Sequence, residues 1–535
     1  MSRSPNPTPG SGAQDSWAVL SPKLLTRLAL YSLLLYCIVG SLLCIVGSSK
    51  IISFHGDLTG GESVNPFVSI LAVRTGHLYH PLSAPPYTPQ PFGPLFYLAG
   101  AGVARLSSLD LDATFRLART LDFICLLLCA VTVWLISRRL KFSPGVSALA
   151  AMMFLAQPIF YRWGWGATMR PDVPALLLML LALYFALRTQ EMRFTACVLA
   201  GSLVGIGFLL KQSAAAAGIA IAFAYLFNRR YKQIVTLALS AAAPVGIAFA
   251  LLVWHHEPFL DHFLAAGRES WSLAGGATWL AEGHLTRPTI IMLFAVGSVG
   301  FMRAVTEGEQ GQTLAAFAAV NVLAGFATIP QLGGQINYFI PGVAGCALLL
   351  TYAIRAFMDH LDAIKLTGIL VMLGFLAALA DCAGAYYRLP PRGGGRLIPP
   401  GYLSSLKVLS DDDYIELHTR DPEVIDPFTV HSLELQGRWS SAGIVREVQS
   451  GSYDVVILNR GRQIWSYRNV SFFAPAVVDA LNENYEILCG FGDVGLVLKP
   501  RSREAAASPE MLSRVLGWCG ARPPGPNLAI RTNAR

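Results

Sequence analysis

Charge is what this chain has least of. Only 14% of its 535 residues are Asp, Glu, Lys or Arg, where soluble domains carry about 25%. With 53% hydrophobic residues and a mean hydropathy of +0.49, the apolar surface exceeds what a water-soluble core absorbs, and a bilayer must take the rest. The net charge of +8 is modest. Lys and Arg occur in short clusters between apolar segments, so no basic patch points to nucleic acid. Ser, Cys and His form no nucleophile arrangement. His255-His256-Glu257 with Asp261 and His262 matches no strong metal spacing and reads as a polar interfacial loop. No metal and no cofactor are expected. No internal repeat is evident, which counts against a transporter built from duplicated halves. Seven of the nine cysteines lie in apolar spans, where they read as small packing residues. Cys489 and Cys519 alone fall in the polar tail, and an oxidising compartment would let them pair.

What is present is a series of apolar stretches. Met1–Ser21, rich in Ser, Pro and Gly, reads as disordered and not as a cleavable signal. The run Leu28–Val46 is too long for a signal core. The pattern predicts eleven membrane helices: Leu24–Val46, Arg116–Ser137, Val146–Phe160, Val173–Leu187, Thr195–Leu210, Ala214–Phe227, Ile234–Trp254, Thr289–Ala304, Leu314–Ile329, Tyr338–Ile354 and Leu366–Ala385. Eleven crossings put Lys23, Arg27, Arg138, Arg139, Lys141, Arg188, Arg193, Arg229, Arg230, Lys232, Arg303, Arg355 and Lys365 on one side, which the positive-inside rule makes cytoplasmic. Counting 91–106 as a span would move the 138–141 cluster outside, so that segment is read as interfacial or re-entrant. Ser48–Phe115, Tyr161–Asp172, His255–Pro288 and the chain after about Tyr386 then face outward.

The expected fold class is an α-helical polytopic membrane protein with a small C-terminal α/β extracytoplasmic domain. The divisions are a cytoplasmic N-terminus (1–22), a membrane domain (23–387) with a first outer loop (48–115), the α/β domain (388–500) and a loosely ordered tail (501–535). In the α/β domain, 453–458 reads as a buried strand, Ala474–Asn484 as a helix, and Tyr485–Cys489 and Val494–Lys499 as strands.

Most candidate chemistry gathers on the outward side. Asp57 and Glu62 flank a Gly-rich turn after the first helix. A partly desolvated carboxylate can act as base while a second orients it; a solvated loop with incidental acids fits the spacing equally. Asp172, in Arg170-Pro171-Asp172, suits a helix N-cap as readily as a second acid, and Arg170 could meet an anion. Lys211, followed by Gln212, stands within a long apolar tract, a costly placement that by default marks function; snorkelling is the alternative, and a phosphate would be its partner. Asn337-Tyr338 opens a helix on the same side, either as an anion- and sugar-facing terminus or as an ordinary loop.

In this order and topology the pieces resemble the GT-C superfamily of polyprenyl-phosphate-sugar-dependent glycosyltransferases. The branch is the family 39/83-like group, related to protein O-mannosyltransferases and lipid A aminoarabinose transferases. The residues that carry the likeness are 57–62, Gly76-His77-Leu78-Tyr79, 91–97, Arg116-Leu117-Ala118-Arg119, Asp172, Lys211-Gln212 and Asn337-Tyr338-Phe339. The usual double proline of the interfacial helix stands as Gly93-Pro94, and the usual Asp-Glu pair is spread over Asp57 and Glu62. The resemblance implies a lipid-linked donor and inverting transfer to an acceptor hydroxyl on a glycan, lipid or protein, at the periplasmic or exterior face of the cell membrane. It implies catalytic parts for Asp57, Glu62 and Asp172, donor-phosphate binding by Arg170 and Lys211, and substrate binding by Tyr79, Gln212, Asn337 and Tyr338. A transporter or flippase of lipid-linked glycans is the alternative from another class. It would call for ionisable groups near the bilayer midplane, whereas the charges here cluster at helix ends.

Overall fold

The computed structural model describes residues 22–56, 58, 61–188, 193–266, 271–282, 285–331, 334–359, 365–386, 403–459, 473–491 and 495–502. The helical part runs α1 (Pro22–Ile52), α2 (Val64–Thr75), α3 (Pro94–Leu106), α4 (Leu111–Arg139), α5 (Pro144–Leu155), α6 (Pro158–Tyr161), α7 (Asp172–Ala186), α8 (Arg193–Leu210), α9 (Ala215–Phe227), α10 (Tyr231–Trp254), α11 (Phe259–Ala266), α12 (Leu273–Ala281), α13 (Pro288–Thr306), α14 (Gly308–Thr328), α15 (Ile340–Asp359) and α16 (Lys365–Tyr386). Among the described residues, six helices (α1, α4, α10, α13, α14 and the stretch ending in α15) are long and apolar enough to cross a bilayer, with shorter apolar helices between them.

Each of the eleven expected helices is present, with three corrections. The Val146–Phe160 helix breaks at Gln157, because Pro158 cannot continue the hydrogen-bond ladder, and leaves α5 and α6. The span expected to open at Tyr338 begins as a 3₁₀ turn, Ile336–Phe339, before α15. The stretch 48–115, expected as an outer loop, holds α2 and α3 and the ends of α1 and α4. Asn65 and Ser69 interrupt the apolar run of α2 and hid it. Both are buried, Asn65 Nδ2 donating to the Met169 carbonyl (2.7 Å) and Ser69 Oγ to the Asn65 carbonyl (2.7 Å). Helix α3 has 13 residues, about 20 Å of helix, too short to cross alone.

Packing closes the bundle on itself: α1 lies on α16 and α5, α4 on α5 and α7, α7 on α8, α8 on α10, α14 on α9 and α15, and α15 on α13. Close approach needs missing side chains. A Cβ on Gly201 would fall 2.4 Å from the Leu237 carbonyl oxygen, so α8 and α10 meet backbone to backbone there.

The helix ends sort into two groups. At one, Arg230 pairs with Glu309, Glu307 with both Arg303 and Arg355, Gln310 Nε2 donates to the Leu187 carbonyl (3.0 Å), and Arg355 lies 4.3 Å from the Phe142 ring. These are the basic ends assigned to the cytoplasm by charge. The opposite group holds the start of α7, the α8–α9 and α14–α15 junctions and the loops around α2 and α3.

The C-terminal part is a four-stranded sheet in the order β1-β2-β4-β3, with β1 (Val408–Ser410) parallel to β2 (Val455–Asn459), and β4 (Gly495–Pro500) antiparallel to β2 and to β3 (Tyr485–Phe491). Strand β2 buries both faces, Val456 and Leu458 on one core and Val455 and Ile457 on another, which is why it reads as a continuous apolar run. The expected later strands and the Pro475–Asn484 helix are present; β1 and the helices Pro427–Leu435 and Ala442–Gln449 went unanticipated. Tyr87 N donates to the Glu423 carbonyl (2.7 Å) and Ile425 N to the Tyr87 carbonyl (3.1 Å), while Tyr414 Oη donates to Asp112 Oδ1 (2.9 Å). This domain therefore docks on the first loop. Cys489 is disulfide-bonded to a partner outside the described residues.

Candidate active site

Two buried ion pairs stand at that second end. The first joins α4 to the loop after α1. Arg119, wholly buried, donates from Nε to Glu62 Oε1 (2.8 Å) and from Nη2 to Glu62 Oε2 (2.7 Å). Its remaining donors reach the carbonyls of Ile51 (3.0 Å), Phe54 (2.6 Å) and Gly56 (2.7 Å), and Glu62 Oε1 also accepts from Met169 N (2.9 Å). A bidentate guanidinium–carboxylate fork fixes geometry as well as charge. Here it clamps both edges of the loop that carries Asp57. Asp57 itself lies outside the described residues.

The second pair sits where three chain segments break. Helix α8 stops at Leu210; Lys211 is extended (φ −148°) and a 3₁₀ turn follows before α9. That break turns the lysine inward. Asp172 is the first residue of α7 and its carboxylate makes no cap, so the N-cap expectation does not hold. Asp172 Oδ1 instead accepts from Lys211 Nζ (2.5 Å) and Asn337 Nδ2 (2.8 Å). The Tyr338 ring centroid lies 4.6 Å from Lys211 Nζ. Residues 39 and 165 positions from Asp172 in sequence thus share one of its carboxylate oxygens. Asp172 Oδ2 and Asn337 Oδ1, both buried, have no hydrogen-bond partner among the described residues. The four residues line one cavity that continues to Ser213 and Asn321 between α7, α9, α14 and α15.

Arg170 lies between the two pairs. Its N–H donates to Asp122 Oδ2 (3.1 Å), and its guanidinium stands 5.1 Å from the Trp165 ring. Gly61 borders it: a Cβ there would lie 3.6 Å from Arg170 Nη2 and 3.7 Å from Asp426 Oδ2 of the C-terminal domain. Asp426 takes a left-handed backbone (φ 62°) to cap the Pro427–Leu435 helix.

Tyr79 and Gln212 are not among the residues lining the cavity. Tyr79 is buried beside Tyr97 and donates its hydroxyl to the Phe92 carbonyl (2.9 Å), and Gln212 Nε2 donates to the Pro91 carbonyl (2.8 Å). Both tie down the entry to α3. Gly93 completes that tie. Its N–H donates to the Leu210 carbonyl (3.2 Å), and a Cβ would fall 2.1 Å from the Leu209 oxygen. Glycine at this position is therefore a packing requirement of α3 against the end of α8. His262 belongs to the same support: Nδ1 accepts from Gln90 N (3.0 Å) and Nε2 donates to the His80 carbonyl (2.7 Å), and burial pushes its pKa down to about 4. Among the described residues no group of three or more His, Cys, Asp or Glu could hold a metal ion.

The sequence reading missed three groups: Asp122, the clamping part of Arg119, and Asp381 on α16, which meets Arg162 and Arg287 (both 3.4 Å) and Thr289 Oγ1 (3.2 Å). All sit inside or beside apolar helices, where an isolated charge was the available signal.

Comparison with known proteins bears on the fold. Residues 95–255 match the family model of dolichyl-phosphate-mannose-protein mannosyltransferases. No curated protein matches the chain. The structure of ArnT from Cupriavidus metallidurans bound to undecaprenyl phosphate superposes with a TM-score of 0.57 at 12% identity, covering 89% of this chain and 99% of that one. Its apo form gives 0.56 at 12% identity, covering 88% and 99%. The Archaeoglobus fulgidus oligosaccharyltransferase AglB, in complex with an inhibitory peptide and a dolichol-phosphate, gives 0.47 at 14% identity over 90% and 75%. The chain has the fold that ArnT has.

Proposed function

We propose that the protein is an inverting glycosyltransferase that moves a sugar from a polyprenyl-phosphate donor to an acceptor hydroxyl at the extracytoplasmic face of the membrane. The observation that carries this is the convergence of Asp172, Lys211, Asn337 and Tyr338 on one cavity at helix breaks. The family match over 95–255 and the fold shared with a protein crystallised with undecaprenyl phosphate support the donor class. The disulfide at Cys489 supports an oxidising, extracytoplasmic side for the docked domain, and with it the site.

The parts divide as follows. Asp57 is the base: it takes the proton of the acceptor hydroxyl as that oxygen attacks the anomeric carbon. The anomeric C–O bond breaks on the opposite face and its electrons pass to the phosphate, which leaves as polyprenyl phosphate. Arg170, beside Gly61 and two residues from Asp172, meets the growing charge on the phosphate. Glu62 works through Arg119 as a positioning residue for the Asp57 loop. The Asp172 cavity takes part of the donor. The acceptor approaches between the first loop and the C-terminal domain that docks on it.

Mass spectrometry of lipid that co-purifies with the protein tests the donor class. A sugar phosphate on a polyisoprenoid, or the bare polyprenyl phosphate, is the expected finding. Recovery of bulk phospholipid alone, with no thermal response to added polyprenyl phosphate, contradicts it.

A further inference from the structure

The glycosyl-transfer reading leaves open what the Asp172 cavity recognises, and the two unpartnered oxygens answer it. We propose, resting on that reading, that the cavity takes the neutral, hydroxyl-bearing ring of the donor sugar, with one hydroxyl donating to Asp172 Oδ2 and a second to Asn337 Oδ1, and that it does not take the phosphate. Both residues are only 6% exposed and both line the cavity. A buried acceptor without a donor costs about 1–3 kcal/mol, so two in one cavity call for a ligand that brings two donors.

Charge narrows the ligand. Lys211 Nζ, 2.5 Å from Asp172 Oδ1, neutralises the carboxylate and repels a metal cation from the other oxygen. A phosphate is disfavoured in turn, because its oxygens would face two lone-pair-bearing oxygens with no proton between them. What remains is a neutral molecule rich in O–H groups. Asp172, Ala175 and Met179 line the cavity along α7. Ala175, Ala216 and Ala324 keep its walls free of bulk. Lys211 is then a positioning residue that orients the Asp172 carboxylate, and Asn337 has its amide nitrogen held by that carboxylate so that its oxygen faces the cavity.

The test measures binding to the full-length protein in detergent by thermal shift. The probes are undecaprenyl phosphate alone, a panel of undecaprenyl-phosphate hexoses and pentoses, and monodeoxy analogues of whichever sugar lipid binds tightest. Wild-type protein binds one sugar lipid more tightly than the bare lipid. Asn337→Leu and Asp172→Asn each weaken that sugar lipid about tenfold, the worth of one buried hydrogen bond, and leave the bare lipid unchanged. One monodeoxy analogue binds wild type as weakly as Asn337→Leu binds the parent, and Asn337→Leu does not tell the two apart. Equal losses for bare and sugar-bearing lipid overturn the proposal, as do variants that keep the sugar increment. A wild type that binds bare lipid with no increment for any sugar overturns it and leaves the donor class standing. A wild type that binds neither overturns both.

Discussion

Two buried carboxylates at the same end of the bundle differ in one respect. Every oxygen of Glu62 has a donor, from Arg119 and from Met169 N, whereas Asp172 Oδ2 has none among the described residues. A closed pair holds a loop in place; an open pair holds a place for something else. Removing one partner of a closed buried pair strands the other charge and costs about 3–5 kcal/mol. The open pair has given up some stability already, as sites that bind often do.

The largest effect that sharpens this contrast is therefore on folding. Glu62→Gln strands the Arg119 guanidinium with a neutral amide and lowers stability by about 3–5 kcal/mol, read as a fall in thermal midpoint and in the yield of monodisperse protein. Asp172→Asn also leaves a buried cation, Lys211, beside a neutral amide, but the new NH2 can take the place of the unpartnered Oδ2 while the amide oxygen goes on accepting from Lys211 and Asn337, so the midpoint falls less. Equal shifts for the two would erase the distinction. Gly93→Ala comes next. The added methyl meets the Leu209 carbonyl oxygen at 2.1 Å, so α3 must move off the end of α8, at about 1–3 kcal/mol. Because Lys211 follows that end directly, the variant also loses ligand affinity, measured by the same thermal shift with and without lipid. Acid gives a smaller, graded effect. His262 is neutral when folded and titrates near 4, against 6.5 for an ordinary histidine. As pH falls from 6.5 towards 4, the unfolded chain binds a proton that the folded one refuses, so stability declines through that window and levels off below it, by up to about 3 kcal/mol. His262→Gln, which can donate to the His80 carbonyl and accept from Gln90 N without titrating, flattens the pH dependence of the midpoint across that interval.

The positions of the helices were legible because apolar length alone marks a membrane span. Helix α2 was not, because Asn65 and Ser69 face inward and spoil the run that would announce it. In the C-terminal domain β2 was legible from its continuous apolar stretch, while β1, three residues long, offered too little pattern. At the site, Asp172, Lys211, Asn337 and Tyr338 could each be picked out as a polar residue at a helix end. That they meet could not, since their meeting depends on α7, α8 and α15 packing side by side. Their charges are half the story as well: a lone lysine in an apolar tract suggests a phosphate ligand, and only the structure adds the carboxylate 2.5 Å away. Tyr79 and Gln212 were chosen from motif order, and geometry puts them under α3, where they fix backbone carbonyls. The Gly93 departure from the usual double proline has its reason in the same contact.

The most direct measurement is release of polyprenyl phosphate from a polyprenyl-phosphate sugar by proteoliposomes of the protein, supplied with envelope extract as acceptor source. Wild type converts the donor to bare polyprenyl phosphate as sugar appears on an acceptor; Asp57→Asn, still folded, does so at least about a hundredfold more slowly, and Asp172→Asn is slowed by about the tenfold it loses in donor binding. Donor that crosses the bilayer intact, with no polyprenyl phosphate released and no dependence on either aspartate, would contradict glycosyl transfer and make the protein a carrier.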